Sequence, residues 1–257
     1  MSNLNVFIDL EKFKSQGYIH LENILTKEQI ELTQVLTLKL KEDLINNNLL
    51  GQKKDFGVTE WWRGIDMSSF LSEDLYKLYT SSIMYTISSQ LLETENVYLY
   101  NDQIVVKLPN EDFQFEPHVD NQFGPNPSLA QSGVFKTITC AWVVDDFTIE
   151  NGAISILNKS TGEWDIPLPK TGDILVWDGE TPHKSNNNIT DKPRRVYLMV
   201  YGDNDIPSFG TEEWLKRFAN RFYNELKDLE CLEFYGDFTK DRTAVVAMNF
   251  KGISASD

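Results

Sequence analysis

"GDILVWDGETPHKSNNNITDKPRRVYLMVYG", residues 172–202, holds two apolar runs rich in branched and aromatic residues, parted by a polar turn and an asparagine-rich loop. Short runs of this kind, bounded by glycine, proline, asparagine and aspartate, predict strands. The same pattern runs back to residue 96 through "NVYLYNDQIVVKL", "FKTITCAWVVDD" and "GAISILN". Before residue 96 the periodicity is helical. Thr26 and Gln29 have capping-box spacing, and Ile30, Leu32, Val35, Leu36, Leu38 and Leu40 predict a largely buried helix over about 27–46. Leu75, Leu78, Tyr79, Ile83, Ile87 and Leu91 predict a second over about 73–93, with the loop "DFGVTEWWRGID" between them.

Helices followed by many short strands indicate a mainly β fold with flanking helices: a sandwich or barrel buttressed by its N-terminal part. A single domain over 1–257 is expected, with a helical buttress over about 1–95 and a β core over about 96–202. "TEEWLKRFANRFYNELKDLE", from 211, reads as a further helix, and "TAVVAMNF" as one more strand, in a C-terminal part over about 211–250.

The chain carries 39 acidic against 24 basic side chains, a net charge of −15. That field repels phosphate backbones and argues against nucleic-acid and acidic-lipid partners. No apolar run is long enough to span a bilayer, and the first residues lack the basic segment and apolar core of an export signal, so a cytoplasmic protein is expected. Cys140 and Cys231, the two cysteines, lack metal-type spacing and read as reduced core residues.

Chemistry concentrates at the histidines, of which there are three. His20, in "GYIHLEN", reads as a packed or surface strand residue. His118 and Asp120, in "FQFEPHVDNQFGPNP" (113–127), stand at i and i+2, so on an extended segment both project to one side. A His-x-Asp pair alone is weak, arising by chance roughly one time in four here. His183 lies just past a strand and a turn, and if that strand folds beside the first, three ligands converge. Two histidines and a carboxylate on one face of an ion suit non-haem Fe(II) with open positions, and zinc can use the same donors. Arg194 opens the next strand. Its guanidinium offers a two-pronged grip for a carboxylate, although paired arginines also decorate strand ends.

At this point the chain resembles the phytanoyl-CoA dioxygenase family of Fe(II)- and 2-oxoglutarate-dependent oxygenases. "TCAWVVDDFTIENGAISILNKSTGE" is similar to the family's strand, acidic turn, "ENGA" and following strand. "GDILVWDGETPHKSNNNITDKPRRVYL" is similar to its "GD", apolar strand, histidine and later arginine. The resemblance implies a double-stranded β-helix, a jelly-roll, cupin-like core. It implies His118, Asp120 and His183 as iron ligands and catalytic centre, and Arg194, with Ser185, as the grip on the distal carboxylate of 2-oxoglutarate. Trp142 falls where a family tryptophan borders the cosubstrate pocket, though an indole on a strand is otherwise a core residue. Lys107 and Gln103 are further cosubstrate candidates that, as strand residues, equally suit solvent.

With Fe(II), 2-oxoglutarate and O2, the implied reaction is hydroxylation of an unactivated C–H bond with release of succinate and CO2. Related halogenases have a small residue where this chain keeps Asp120, so hydroxylation is expected. The compact "ILNKSTGEWDIPLPKTGD" and the glycine-containing insert after Asp120 argue against a bulky acyl-CoA. A small polar metabolite, a free amino acid or natural-product intermediate, is expected as substrate, handled by a monomer or homodimer. Asn121 and Phe123, beside the ligand strand, and Trp61, Trp62 and Arg63 are candidate substrate contacts, or else loop packing and solvated charge. The alternatives are desaturation, cyclisation or epoxidation at the same site, or a non-catalytic cupin-like metal or ligand sensor.

Overall fold

The computed structural model describes residues 6–46, 64–66, 73–79, 81–95, 97–110, 112–123 and 136–203. Helix α1 (Leu10–Gln16) is capped by the Asp9 carboxylate, which accepts from the Lys12 amide at 2.9 Å, and ends at Gly17. Strand β1 (Tyr18–Leu21) leads to α2 (Lys27–Asn46), where Thr26 and Gln29 form the expected reciprocal cap: the Thr26 amide donates to Gln29 Oε1 and the Gln29 amide to Thr26 Oγ1. Over residues 27–39, where its side chains are described, the helix is less buried than its apolar content suggests. Val35 and Leu38 are 61% and 57% exposed, and Thr33, Leu36 and Thr37 make its buried contact.

After β2 (Gly64–Asp66), the expected helix over 73–93 is two: α3 (Glu73–Tyr79) and α4 (Ser82–Leu92). Ser81, in extended backbone at φ −66° and ψ 157°, lies before α4, and both its amide and its hydroxyl turn back to the Leu78 carbonyl. Short hydroxyl side chains compete in this way with the helical ladder. The strands are β3 (Val97–Lys107), β4 (Phe115–His118), β5 (Thr137–Val143), β6 (Ile154–Leu157), β7 (Trp164–Asp165), β8 (Ile174–Asp178), β9 (His183–Ser185) and β10 (Arg194–Asp203), with a 3-10 turn at Asp120–Phe123 after β4.

They form two antiparallel sheets, a six-stranded one in the order β1-β8-β5-β10-β3-β2 and a four-stranded one in the order β4-β9-β6-β7. From β3 onward the chain crosses repeatedly from one sheet to the other, which is the winding of a double-stranded β-helix. The large sheet also recruits β1 and β2 from the part of the sequence read as helical buttress. These segments are only four and three residues long, too short for alternation to declare them.

The large sheet is covered on both faces, so β5, "TITCAWV", is buried at all seven positions. Strand alternation sends Ile138, Cys140 and Trp142 toward Leu75, Tyr79, Met84, Ile87 and the other helical residues. Ala141 and Val143 point the other way, to a second core between the sheets with Val105, Ile154, Ile156, Leu175, Trp177 and Val196. The candidate ligands meet in that intersheet space.

Candidate active site

β4 and β9 pair so that His118 and His183 are directly opposed, with ring centroids 4.2 Å apart. The strand ends at His118, and Asp120 opens the 3-10 turn that follows rather than extending the strand. His118, Asp120 and His183 each present one ligand atom, all within 4.8 Å of one another. The separation of His183 Nε2 from Asp120 Oδ1 is 3.6 Å.

Each donor is oriented by a partner of its own. His118 Nδ1 donates to the Glu116 carbonyl at 2.7 Å, and His183 Nδ1 to the Thr181 carbonyl at 3.1 Å, which leaves both Nε2 atoms as lone-pair donors. Asp120 Oδ2 accepts from Thr139 Oγ1 at 2.5 Å and from Trp177 Nε1 at 2.8 Å, so Oδ1 is the oxygen turned to the histidines. Burial, with the His118 ring, holds the His183 imidazole below the ordinary histidine value against the pull of Asp120. A neutral imidazole is the form that ligates. Two nitrogens and one carboxylate oxygen on one side, with no further donor in the set among the described residues, are the donors expected of a divalent metal that keeps open positions.

Asn121 does not face this centre with a free amide. Its Oδ1 accepts from Thr137 Oγ1 at 2.6 Å and its Nδ2 donates to Glu180 Oε1 at 2.6 Å, while its backbone amide donates to the Gly179 carbonyl. The structure gives it the task of tying the turn after Asp120 to β5 and to the turn before His183. Phe123 closes that turn through its backbone, and its side chain lies outside the described residues, as do Trp61, Trp62 and Arg63.

Arg194 and Arg195 separate by strand alternation. Arg195 turns out and binds the Asp145 carboxylate through Nε and Nη2, both at 2.7 Å, which assigns the acidic turn to an ion pair. Arg194 turns in and is 1% exposed. Its Nη2 donates to the Gly152 carbonyl at 3.1 Å and its guanidinium lies 4.6 Å from the Phe147 ring centroid. Nε and Nη1 are buried without a hydrogen-bond partner among the described residues. Burial lowers its pKa to about 10, partly offset by Asp145, and it remains a cation at neutral pH. A buried cation with two unused donors costs stability unless an anion completes it.

Lys107 is directly opposite Arg194 in the β3/β10 register and is likewise 1% exposed. Its ammonium donates to the carbonyls of Phe113, before β4, and Asn186, after β9, and so staples the two histidine strands to β3. Gly152, at φ +75°, sits against it: a Cβ there would lie 2.4 Å from the Asn186 carbonyl oxygen and 2.9 Å from Lys107 Cδ. Ser185 is buried on the inward face of β9 with His183, and Gln103 is half-buried on β3, in the alternation of Val105 and Lys107. Trp142 lies on the opposite face of the large sheet. Its indole donates to Met84 Sδ at 3.0 Å and packs edge-on against Tyr79, among the helices and away from the intersheet space.

No protein-family model matches the chain, and no curated protein matches it significantly. Solved structures do. EctD from S. alaskensis, solved with 2-oxoglutarate and 5-hydroxyectoine, superposes with a TM-score of 0.64 at 19% identity, over 80% of this chain and 79% of that one. The non-haem α-ketoglutarate-dependent epimerase SnoN from nogalamycin biosynthesis gives 0.59 at 16% identity, over 79% of this chain and 90% of that one. The carbocyclase SnoK, of the same biosynthesis, gives 0.62 at 18% identity, over 76% and 82%. The chain has the fold of the non-haem α-ketoglutarate-dependent enzymes. Within this α-ketoglutarate-dependent-enzyme fold the His-Asp-His cluster and the inward arginine belong to the chain itself. Sequence reasoning missed Thr139, Trp177 and Thr181, which orient the ligands, and Phe147 beneath Arg194. The glycine of "ENGA" was the one available signal for a close backbone approach at that point.

Proposed function

We propose that this protein is an Fe(II)/2-oxoglutarate-dependent dioxygenase that hydroxylates an unactivated C–H bond of a small polar metabolite, releasing succinate and CO2. His118, Asp120 and His183 would hold the iron, and Arg194 with Ser185 the distal carboxylate of 2-oxoglutarate. The observation that carries the reading is Arg194: a fully buried guanidinium whose Nε and Nη1 have no partner among the described residues, in the same intersheet core that receives the three ligands. A bidentate carboxylate answers that geometry. A metal sensor of cupin type has no use for such a donor pair.

When bound, iron(II) with 2-oxoglutarate and O2 supplies an oxidant able to cleave an unactivated C–H bond. The chain's own residues do the rest. Thr139 and Trp177 hold Asp120 to one oxygen, the Glu116 and Thr181 carbonyls fix the imidazole tautomers, and Val105, Ala141, Ile156 and Val196 give the space between the sheets an apolar wall. The similar structures include an epimerase, a carbocyclase and an enzyme solved with a hydroxylated ligand, so epimerisation joins desaturation, cyclisation and epoxidation as outcomes to be scored beside hydroxylation.

Fe(II), ascorbate, 2-oxoglutarate and O2 are to be supplied with a panel of free amino acids and natural-product intermediates, basic amino acids first because of the acidic surface, and succinate followed. Succinate released above the no-substrate rate by one compound, with an oxygenated product, is the expected result. Iron bound but no succinate, even uncoupled, sinks the reading.

A further inference from the structure

Trp177 and Tyr18 form a line leading away from the candidate metal centre. Trp177 is 1% exposed, donates from Nε1 to the ligand Asp120, and lies 4.9 Å, centroid to centroid, from the ring of the ligand His183. Tyr18 is its directly opposed partner in the β1/β8 register. Opposed residues of an antiparallel pair project to the same face with neighbouring Cβ atoms, and Tyr18 packs on the same intersheet core as Trp177. The Tyr18 hydroxyl donates to Asp165 Oδ2 at 2.7 Å, and the half-buried Asp165 stands next to the exposed Trp164. Indole and phenol are the side chains that release an electron most readily, and a phenol does so only when its proton has somewhere to go. Tyr18 has a carboxylate in place for it.

We infer that Trp177, Tyr18 and Asp165 are an electron-escape path that returns an oxidised iron centre to a resting state when no substrate is present. The inference rests on the function proposed above. In the first step Trp177 gives one electron to the oxidised centre, which takes up one proton from solvent, and the indole is left as a radical cation. Tyr18 then gives one electron to Trp177 and its phenolic proton to Asp165, leaving a neutral tyrosyl radical. Ascorbate, or another one-electron reductant of that class, returns an electron to Tyr18 as Asp165 returns the proton. Each pass moves one electron from ascorbate and one proton from solvent to the iron centre and leaves every side chain as it began, and a centre two oxidising equivalents above iron(II) takes two passes to return to rest. A hydrogen bond that only fastened β1 to β7 would stabilise the sheet edges and change nothing in the pattern of oxidation.

The test uses the full chain loaded with Fe(II) and 2-oxoglutarate, exposed to O2 without substrate and without ascorbate. Freeze-quench electron paramagnetic resonance is expected to show a tyrosyl radical that narrows with ring-deuterated tyrosine and is absent from Tyr18→Phe. Peptide mass spectrometry of Tyr18→Phe, and independently of Asp165→Asn, is expected to show oxygen insertion shifted onto Trp177, with several-fold fewer succinate-forming turnovers before inactivation. Ascorbate should restore the wild type and not Tyr18→Phe. Wild-type succinate formation with no tyrosyl signal, and variants with the same inactivation rate and the same oxidation map as wild type, overturn the path while leaving the proposed function standing. No succinate from iron-loaded wild type overturns both.

Discussion

Gly17 and Thr181 lock the N-terminal segment to the second histidine. Thr181 Oγ1 donates to the Gly17 carbonyl at 2.9 Å, and the Thr181 carbonyl in turn accepts from His183 Nδ1 at 3.1 Å. Gly17 ends α1 at φ +83°, and a Cβ on it would lie 2.6 Å from Thr181 Oγ1. Gly17→Ala therefore strains the backbone and displaces the residue that fixes the His183 tautomer. A loss of about 1–3 kcal/mol in unfolding free energy is expected, from denaturant titration, together with weaker metal binding by calorimetry. Stability loss with an unchanged metal titration would confine Gly17 to a cap.

Arg194→Met tests the buried cation. Replacing a buried charge that leaves two donors unused among the described residues with an apolar side chain of similar length is expected to leave the unfolding midpoint of the ligand-free protein unchanged or raised. The same change should cost about 2–5 kcal/mol of 2-oxoglutarate affinity by calorimetry and abolish the thermal shift that 2-oxoglutarate gives wild type. Arg194→Lys should not restore binding, because an ammonium cannot reproduce the two-pronged donor set. Binding retained in Arg194→Met would place the cosubstrate elsewhere.

Trp177→Phe and Thr139→Val each remove one donor from Asp120 Oδ2. Each is expected to weaken metal binding about 10–100-fold. The double variant should lose less than the sum of the singles, since both donors act on one oxygen. Absent effects by metal titration would show that the turn at Asp120–Phe123 alone sets the carboxylate, and strictly additive ones that the two donors act independently.

The clustering of His118, Asp120 and His183 and the position of Arg194 at a strand start were legible because each is a residue type with restricted chemistry at a strand boundary, and the alternation of polar turn and apolar run places those boundaries. Trp142 was not. A strand buried on both faces, as β5 is, offers no polar side to show which alternation points between the sheets, and a one-residue change of phase exchanges the faces. Asn121 looked like a substrate contact because its neighbour is a ligand, whereas its amide is consumed by Thr137 and Glu180, partners far away in sequence. Lys107 had no sequence signal that its ammonium would meet the carbonyls of Phe113 and Asn186, since backbone acceptors leave no residue-type trace. The helix over 73–93 broke at a hydroxyl-rich stretch that apolar periodicity alone passes over.

Alkaline pH should unfold the protein earlier than its surface charge alone dictates. Burial raises the Cys140 thiol and the Tyr197 and Tyr201 phenols above their ordinary values. For a group whose folded pKa is raised, the unfolded chain loses its proton first. Stability from these groups is thus complete below the unfolded values and declines as pH climbs through them: from about pH 9 for the thiol and about pH 10 for the phenols. Each group that stays protonated in the fold adds about 1.4 kcal/mol per pH unit to the fall. Denaturant titrations between neutral pH and pH 11 are expected to show the decline steepening above pH 10. Cys140→Ala should remove the part that starts near pH 9, whatever its effect on stability at neutral pH. An unchanged slope in that variant would mean that Cys140 is reached by solvent before unfolding.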